Sequence, residues 1–136
     1  MGLFLNYQIS AFDNITLDLA SAQGTLGLAQ GLDSSTPDPL TPERNNDIKN
    51  EHLRIRWEHN STDGDNLSVH YYMNRYYKID EYQVPYIGGS TAIFSYTARD
   101  ERQDIEVTYT PALNNKLKSI YGASSRYDKS RVTNNT

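Results

Sequence analysis

The chain has 136 residues, no cysteine, and 17 acidic residues against 13 basic ones. That length suits one domain of ordinary size; the missing cysteines exclude disulfides and thiolate chemistry, and a net charge of −4 is the wrong sign for a general nucleic-acid binder. At a mean hydropathy of −0.72 no stretch approaches the ~20 apolar residues of a membrane helix, but a membrane β-barrel, whose strands face lipid only with alternate residues, has the same average composition.

Period-two alternation dominates from the start. In LFLNYQISAF, Leu3, Leu5, Tyr7, Ile9 and Ala11 alternate with Asn6, Gln8 and Ser10. The opening MGLFLNYQISAFDN has no basic n-region and its apolar run breaks at Asn6, so it does not read as a signal peptide; an exported reading treats the chain as part of a longer one. Asp13–Asn14 reads as a tight turn, and Ile15, Leu17 and Leu19 then alternate with Thr16 and Asp18 before the pattern fades through SAQGTLGLAQG. The first hairpin is thus expected at about 2–29. A polar, proline-rich loop is expected over 30–50 (QGLDSSTPDPLTPERNNDIKN).

Alternation resumes in EHLRIRWEHN, with Leu53, Ile55 and Trp57 on one side and Arg54, Arg56 and Glu58 on the other. STDGDN is a glycine-containing turn. In LSVHYYMNRYYKIDEYQV, Leu67, Val69, Tyr71 and Met73 then lie opposite Ser68, His70, Tyr72 and Asn74. This second hairpin spans about 51–84. A shorter loop around VPYIGGSTAI leads to a third hairpin, about 94–130, where Ile105, Val107 and Tyr109 oppose Asp104, Glu106 and Thr108. ALNNK turns the chain into a last strand, whose facing stays open because Leu117 and Ile120 have opposite parity.

The expected fold is therefore all-β: an antiparallel up-and-down meander of about six long strands forming one domain over 1–136. Short turns alternate strictly with longer loops, so all the short turns fall at one end of the sheet, as in outer-membrane barrels. Leu67 to Val84 and Phe94 to Ala112 also run far past the ~5–6 residues of a typical strand. Trp57, Tyr109 and Tyr121 cluster near the turns, and Tyr76, Tyr77, Tyr82 and Tyr96 near the loops, as two aromatic girdles would require. Tyrosine is also simply a good strand former.

Catalytic signatures are lacking. His52, His59 and His70 have no metal-ligand spacing, and DGDN lacks the frame of a calcium loop. No G-x-S-x-G elbow occurs, and the adjacent Asp100 and Glu101 point apart on a strand. The sequence predicts neither enzyme activity nor a cofactor or metal.

One series of motifs goes further. HLRIRWEHNSTDGDNLSVHYYMNRYYKIDEY, followed by YTARDERQDIEVTYTPALNNKLKSIYGASSRYDKS, resembles consecutive barrel hairpins of a TonB-dependent outer-membrane receptor. The resemblance covers roughly residues 51–128. It implies a partial transmembrane β-barrel in the outer membrane of a Gram-negative cell, without the plug domain. Its implied partners are outer-membrane lipid, the plug and TonB of a full-length protein, and a metal–siderophore complex or similar small nutrient. On this reading Arg54, Arg56, Glu58, His70, Tyr72, Asn74, Asp104 and Glu106 face the lumen. Leu53, Ile55, Trp57, Leu67, Val69, Tyr71, Met73, Ile105, Val107 and Tyr109 face lipid, the aromatic ones as girdle. The competing expectation is a small soluble β-sandwich that binds ligand on a tyrosine-rich face, with Leu53, Ile55 and their neighbours packed under a second layer.

Overall fold

A computed structural model of the chain describes residues 1–28, 44–85, 91–112 and 119–135. Six strands run in sequence: β1 (Gly2–Gln8), β2 (Asp13–Leu28), β3 (Arg44–Asn60), β4 (Asn66–Pro85), β5 (Thr91–Thr110) and β6 (Tyr121–Asn135). They form one antiparallel sheet in the order β1-β2-β3-β4-β5-β6, and no helix occurs among the described residues. The order runs from β1 at one edge to β6 at the other, so the sheet is not closed. The all-β meander read from alternation is the fold.

Strand limits differ from those that alternation gives. β2 continues through the stretch where the pattern fades, and β3 begins at Arg44, so 44–50 is strand and not loop. In the sequence RNNDIKN of residues 44–50 every residue but Ile48 is polar, which erases the period-two signal while leaving the backbone free to pair. Ladder hydrogen bonds do not require apolar side chains. The remainder of the expected loop, the Gly88–Gly89 segment and the ALNNK turn from Leu113 onward lie outside the described residues.

The register of β1 on β2 pairs Leu3 with Leu19, Leu5 with Leu17 and Tyr7 with Ile15, which puts odd positions of both strands on one face. Side-chain contacts extend that parity. Arg54 reaches Asp18 and Asn66 reaches Asn60 through even positions, while Tyr71 reaches Gln103 through odd ones. On β6, Arg126 meets Asp104 and Asp128 meets Arg102, so even positions lie on the polar side. The facing of the last strand is thereby fixed: Tyr121, Ala123 and Tyr127 join the odd, apolar side. Leu117, half of the sequence ambiguity, lies outside the described residues.

Contacts divide the chain into two compact units. The first comprises Met1–Ser21, Glu51–Arg75 and Glu101–Lys129; the second comprises Ala22–Asn50, Tyr76–Asp100 and Ser130–Thr136. Among the described residues no hydrophobic side chain is buried; the buried ones are Asn46, Asp80 and Thr97. In the second unit Asp80 is fully enclosed. Asn46, with its amide oriented by the hydrogen-bond network, donates to both Asp80 oxygens at 2.7 and 3.1 Å. Lys78 lies 3.4 Å from the same carboxylate and donates to the Tyr96 hydroxyl at 3.1 Å. A buried carboxylate needs such partners, because leaving one unpaired costs several kcal/mol, on the order of a lost fold.

Candidate functional site

The first unit carries two chemically opposite faces. On the odd side lie Leu3, Leu5 and Tyr7 of β1, Ile15, Leu17 and Leu19 of β2, and Leu53, Ile55 and Trp57 of β3. Leu67, Val69, Tyr71 and Met73 of β4 continue the surface, followed by Ile105, Val107 and Tyr109 of β5. Leu3 is 55% exposed, Ile105 46% and Tyr127 55%, while Leu53, Ile55, Trp57 and the β4 set are half-buried by their neighbours in the sheet. No described residue forms a layer over them. The band from Leu67 to Met73 rises roughly 20 Å at ~3.4 Å per residue.

Polar groups anchor aromatic rings at both limits of this band. Toward the loop end, the Tyr71 hydroxyl donates to Gln103 Oε1 at 3.2 Å, and Arg75 Nε donates to Glu101 at 3.2 Å. Toward the turn end, the Tyr109 hydroxyl donates to Asp65 Oδ2 at 2.7 Å, and the Trp57 and His59 rings lie 6.0 Å apart, tilted by 30°. Asp65 also accepts the Ala112 N–H at 2.7 Å. That backbone donor first, and the Tyr109 hydroxyl second, hold the Asp65 carboxyl below its ordinary range, since both favour the charged form. His59 Nδ1 is hydrogen-bonded to Asp13 Oδ1 at 2.8 Å, and Ser10 Oγ donates to Asp13 Oδ2 at 2.6 Å. The carboxylate stands between hydroxyl and imidazole, so this set lacks the nucleophile–base contact of a triad. It clasps the β1–β2 turn to β3, helped by the Asn60 N–H donating to the Phe12 carbonyl at 2.8 Å.

The even side is a field of cross-strand ion pairs. Arg54 lies 2.8 Å from Asp18, which also sits 3.5 Å from His52. Arg56 pairs with Glu58 two residues along β3. Across β5 and β6, Arg126 meets Asp104 at 2.6 Å, Arg102 meets Asp128 at 2.7 Å and Ser130 donates to Asp100 at 2.6 Å, three successive rungs. His70, Tyr72, Asp104 and Glu106 line a depression of about 520 Å³ with Ser124, Ser125 and Arg126. His70 Nε2 is buried there without a hydrogen-bond partner. Asn74 is half-buried on the same parity. Among the described residues no group of three or more His, Asp or Glu is placed to hold a metal ion.

No family model matches the chain, and no curated protein matches it. The faces themselves therefore carry the functional reading.

All eight polar candidates fall on even positions and all ten apolar or girdle candidates on odd ones, so strand parity collects each set on one side. Asp18, Arg126, Asp128 and Arg102 complete the polar face and were not singled out from the sequence. Asp18 and Arg102 share the parity of residues that were, and parity alone could have found them. Arg126 and Asp128 could not be assigned until the facing of β6 was known. The enclosed Asp80 carried no signal at all, since an acidic residue in alternation reads as exposed.

Proposed function

We propose that this chain is a wall segment of an outer-membrane active-transport receptor of the TonB-dependent kind. In this reading the odd side meets lipid, the even side lines the lumen, and further strands and a plug complete the barrel. The whole receptor takes up an iron–siderophore complex or a similar scarce nutrient, driven by TonB; the segment itself carries out no reaction. One observation carries the proposal. An apolar band on one side of the sheet has no covering layer among the described residues, while the opposite side is laced with ion pairs. Contiguous exposed apolar surface beyond a few hundred Å² marks a contact with lipid or protein. Membrane strands alternate apolar-out and polar-in behind aromatic girdles, with a band ~25 Å tall. The rings of Tyr71, Trp57 and Tyr109, each beside a polar anchor, suit such girdles.

Trp57 is the single tryptophan and lies on the apolar side, which makes the test direct. In phosphatidylcholine vesicles its emission should shift to the blue and be quenched by lipids brominated along the acyl chain. A monodisperse, cooperatively melting monomer in plain buffer, with Trp57 unaffected by brominated lipid, would establish a self-contained soluble domain instead.

A further inference from the structure

Arginines in this sheet are paired with carboxylates where a register position permits it: Arg54 with Asp18, Arg75 with Glu101, Arg102 with Asp128 and Arg126 with Asp104. Arg56 pairs along its own strand with Glu58, and among the described residues Arg99 and Arg131 are not paired in this way. Ser130 and Asp100 meet across β6 and β5, so the positions that flank them, Arg131 and Arg99, lie across from one another on the other side of the two strands. Both are exposed, and neither forms a salt bridge with a described residue. Like charges placed directly opposite destabilise a strand pair. The Arg99 guanidinium carbon lies 5.2 Å from the centre of the Tyr77 ring on β4, within reach of a cation–π contact that leaves the guanidinium charged and without a carboxylate partner among the described residues.

We propose that Arg99 and Arg131, with Tyr77 as the platform under Arg99, form a phosphate-binding site. Two arginines at opposite positions of neighbouring strands offer forked N–H donors that match phosphate oxygens, and a dianion bound by both turns a repulsion into two charge-assisted contacts. The cation–π contact removes side-chain freedom that binding would otherwise cost. The three residues have the odd parity of Ile105 and Val107 on β5, so a lipid headgroup is the phosphate source if the odd side meets lipid. That choice of source rests on the proposed function; the site itself does not.

Two arms separate these. In the first, the 136-residue chain is floated with vesicles of phosphatidylcholine alone and with one-fifth phosphatidic acid. In the second, the chain refolded in maltoside is titrated with inorganic phosphate and followed by its thermal midpoint. Phosphatidic acid should strengthen vesicle binding of the wild type roughly tenfold, and the R99Q/R131Q double variant should lose that gain while binding pure phosphatidylcholine equally well. Absence of binding to any vesicle, with a phosphate-dependent midpoint that the double variant lacks, would end the lipid-facing reading and leave the site with a soluble phosphate. Equal responses of wild type and variant in both arms overturn the site. Should the double variant not refold, R131Q alone, altered at an exposed position, serves for the same comparisons.

Discussion

Asp65 joins the β3–β4 turn to the end of β5, since its two oxygens accept the Tyr109 hydroxyl and the Ala112 N–H. Both bonds favour the ionised carboxylate, and they lower its pKa from the ordinary 3.8. A carboxyl whose folded pKa is depressed contributes stability that is present above the unfolded pKa and is lost as pH falls through the folded one. The Asp65→Asn variant should therefore melt below the wild type at pH 7, and the gap should close as the pH falls from the ordinary 3.8 down through the lowered folded value. Thermal midpoints of both proteins in the same detergent across that range check the sign; a gap independent of pH would detach the carboxylate charge from the turn. Its neighbour Gly64 has φ +91°, a left-handed conformation, and a Cβ there would stand 3.2 Å from the Ala112 Cβ. Gly64→Ala should cost about 1 kcal/mol or more by denaturant unfolding, because the residue opposes both the backbone and its neighbour.

Pairs of strands are held in register by the rungs between β5 and β6. The Arg126–Asp104 contact is largely exposed on the arginine side, so its coupling should be small, ~0.2–1 kcal/mol in a double-mutant cycle. Exchanging the two charges, Arg126→Asp with Asp104→Arg, should restore most of what either single change loses. Failure of the exchange to recover anything would mean that the rung does not set the register. This contact also marks where the sequence stopped being readable. Within β3, β4 and the second half of β5 alternation of Leu, Ile, Val and Tyr with charged residues gave both the strand and its two faces. Arg44 to Asn50 and the polar run of β6 were opaque, because a strand made almost wholly of polar residues has no periodic signal, and its facing follows only from a partner such as Asp104. The enclosure of Asp80 by Asn46 and Lys78 was equally hidden, since it depends on residues more than thirty positions apart along the chain for one of its contacts.

For the molecule as a whole, strand order and parity were legible, but what covers the apolar side was not, because lipid and a second protein layer select the same residues. Val69 and Ser68 are adjacent on β4 and lie on opposite sides of the sheet, which lets one substitution distinguish the two environments. Arginine on a lipid-facing strand near the bilayer midplane costs ~2–4 kcal/mol, and on the lumen side it is tolerated. Val69→Arg should thus abolish or strongly weaken stable insertion into phosphatidylcholine vesicles, whereas Ser68→Arg should leave it nearly intact, both measured by Trp57 emission and by protection from protease. If an aqueous partner layer covered the odd side, Val69→Arg would instead disrupt association with protein and leave lipid binding unchanged. If neither covered it, the change would fall within the ~0.5 kcal/mol of an ordinary surface substitution. A protein layer over the odd side would also make Val69 the more sensitive neighbour, so it is the loss of insertion into the bilayer, and not the asymmetry alone, that marks lipid contact, and it should be read in the bilayer and in buffer with the same two proteins.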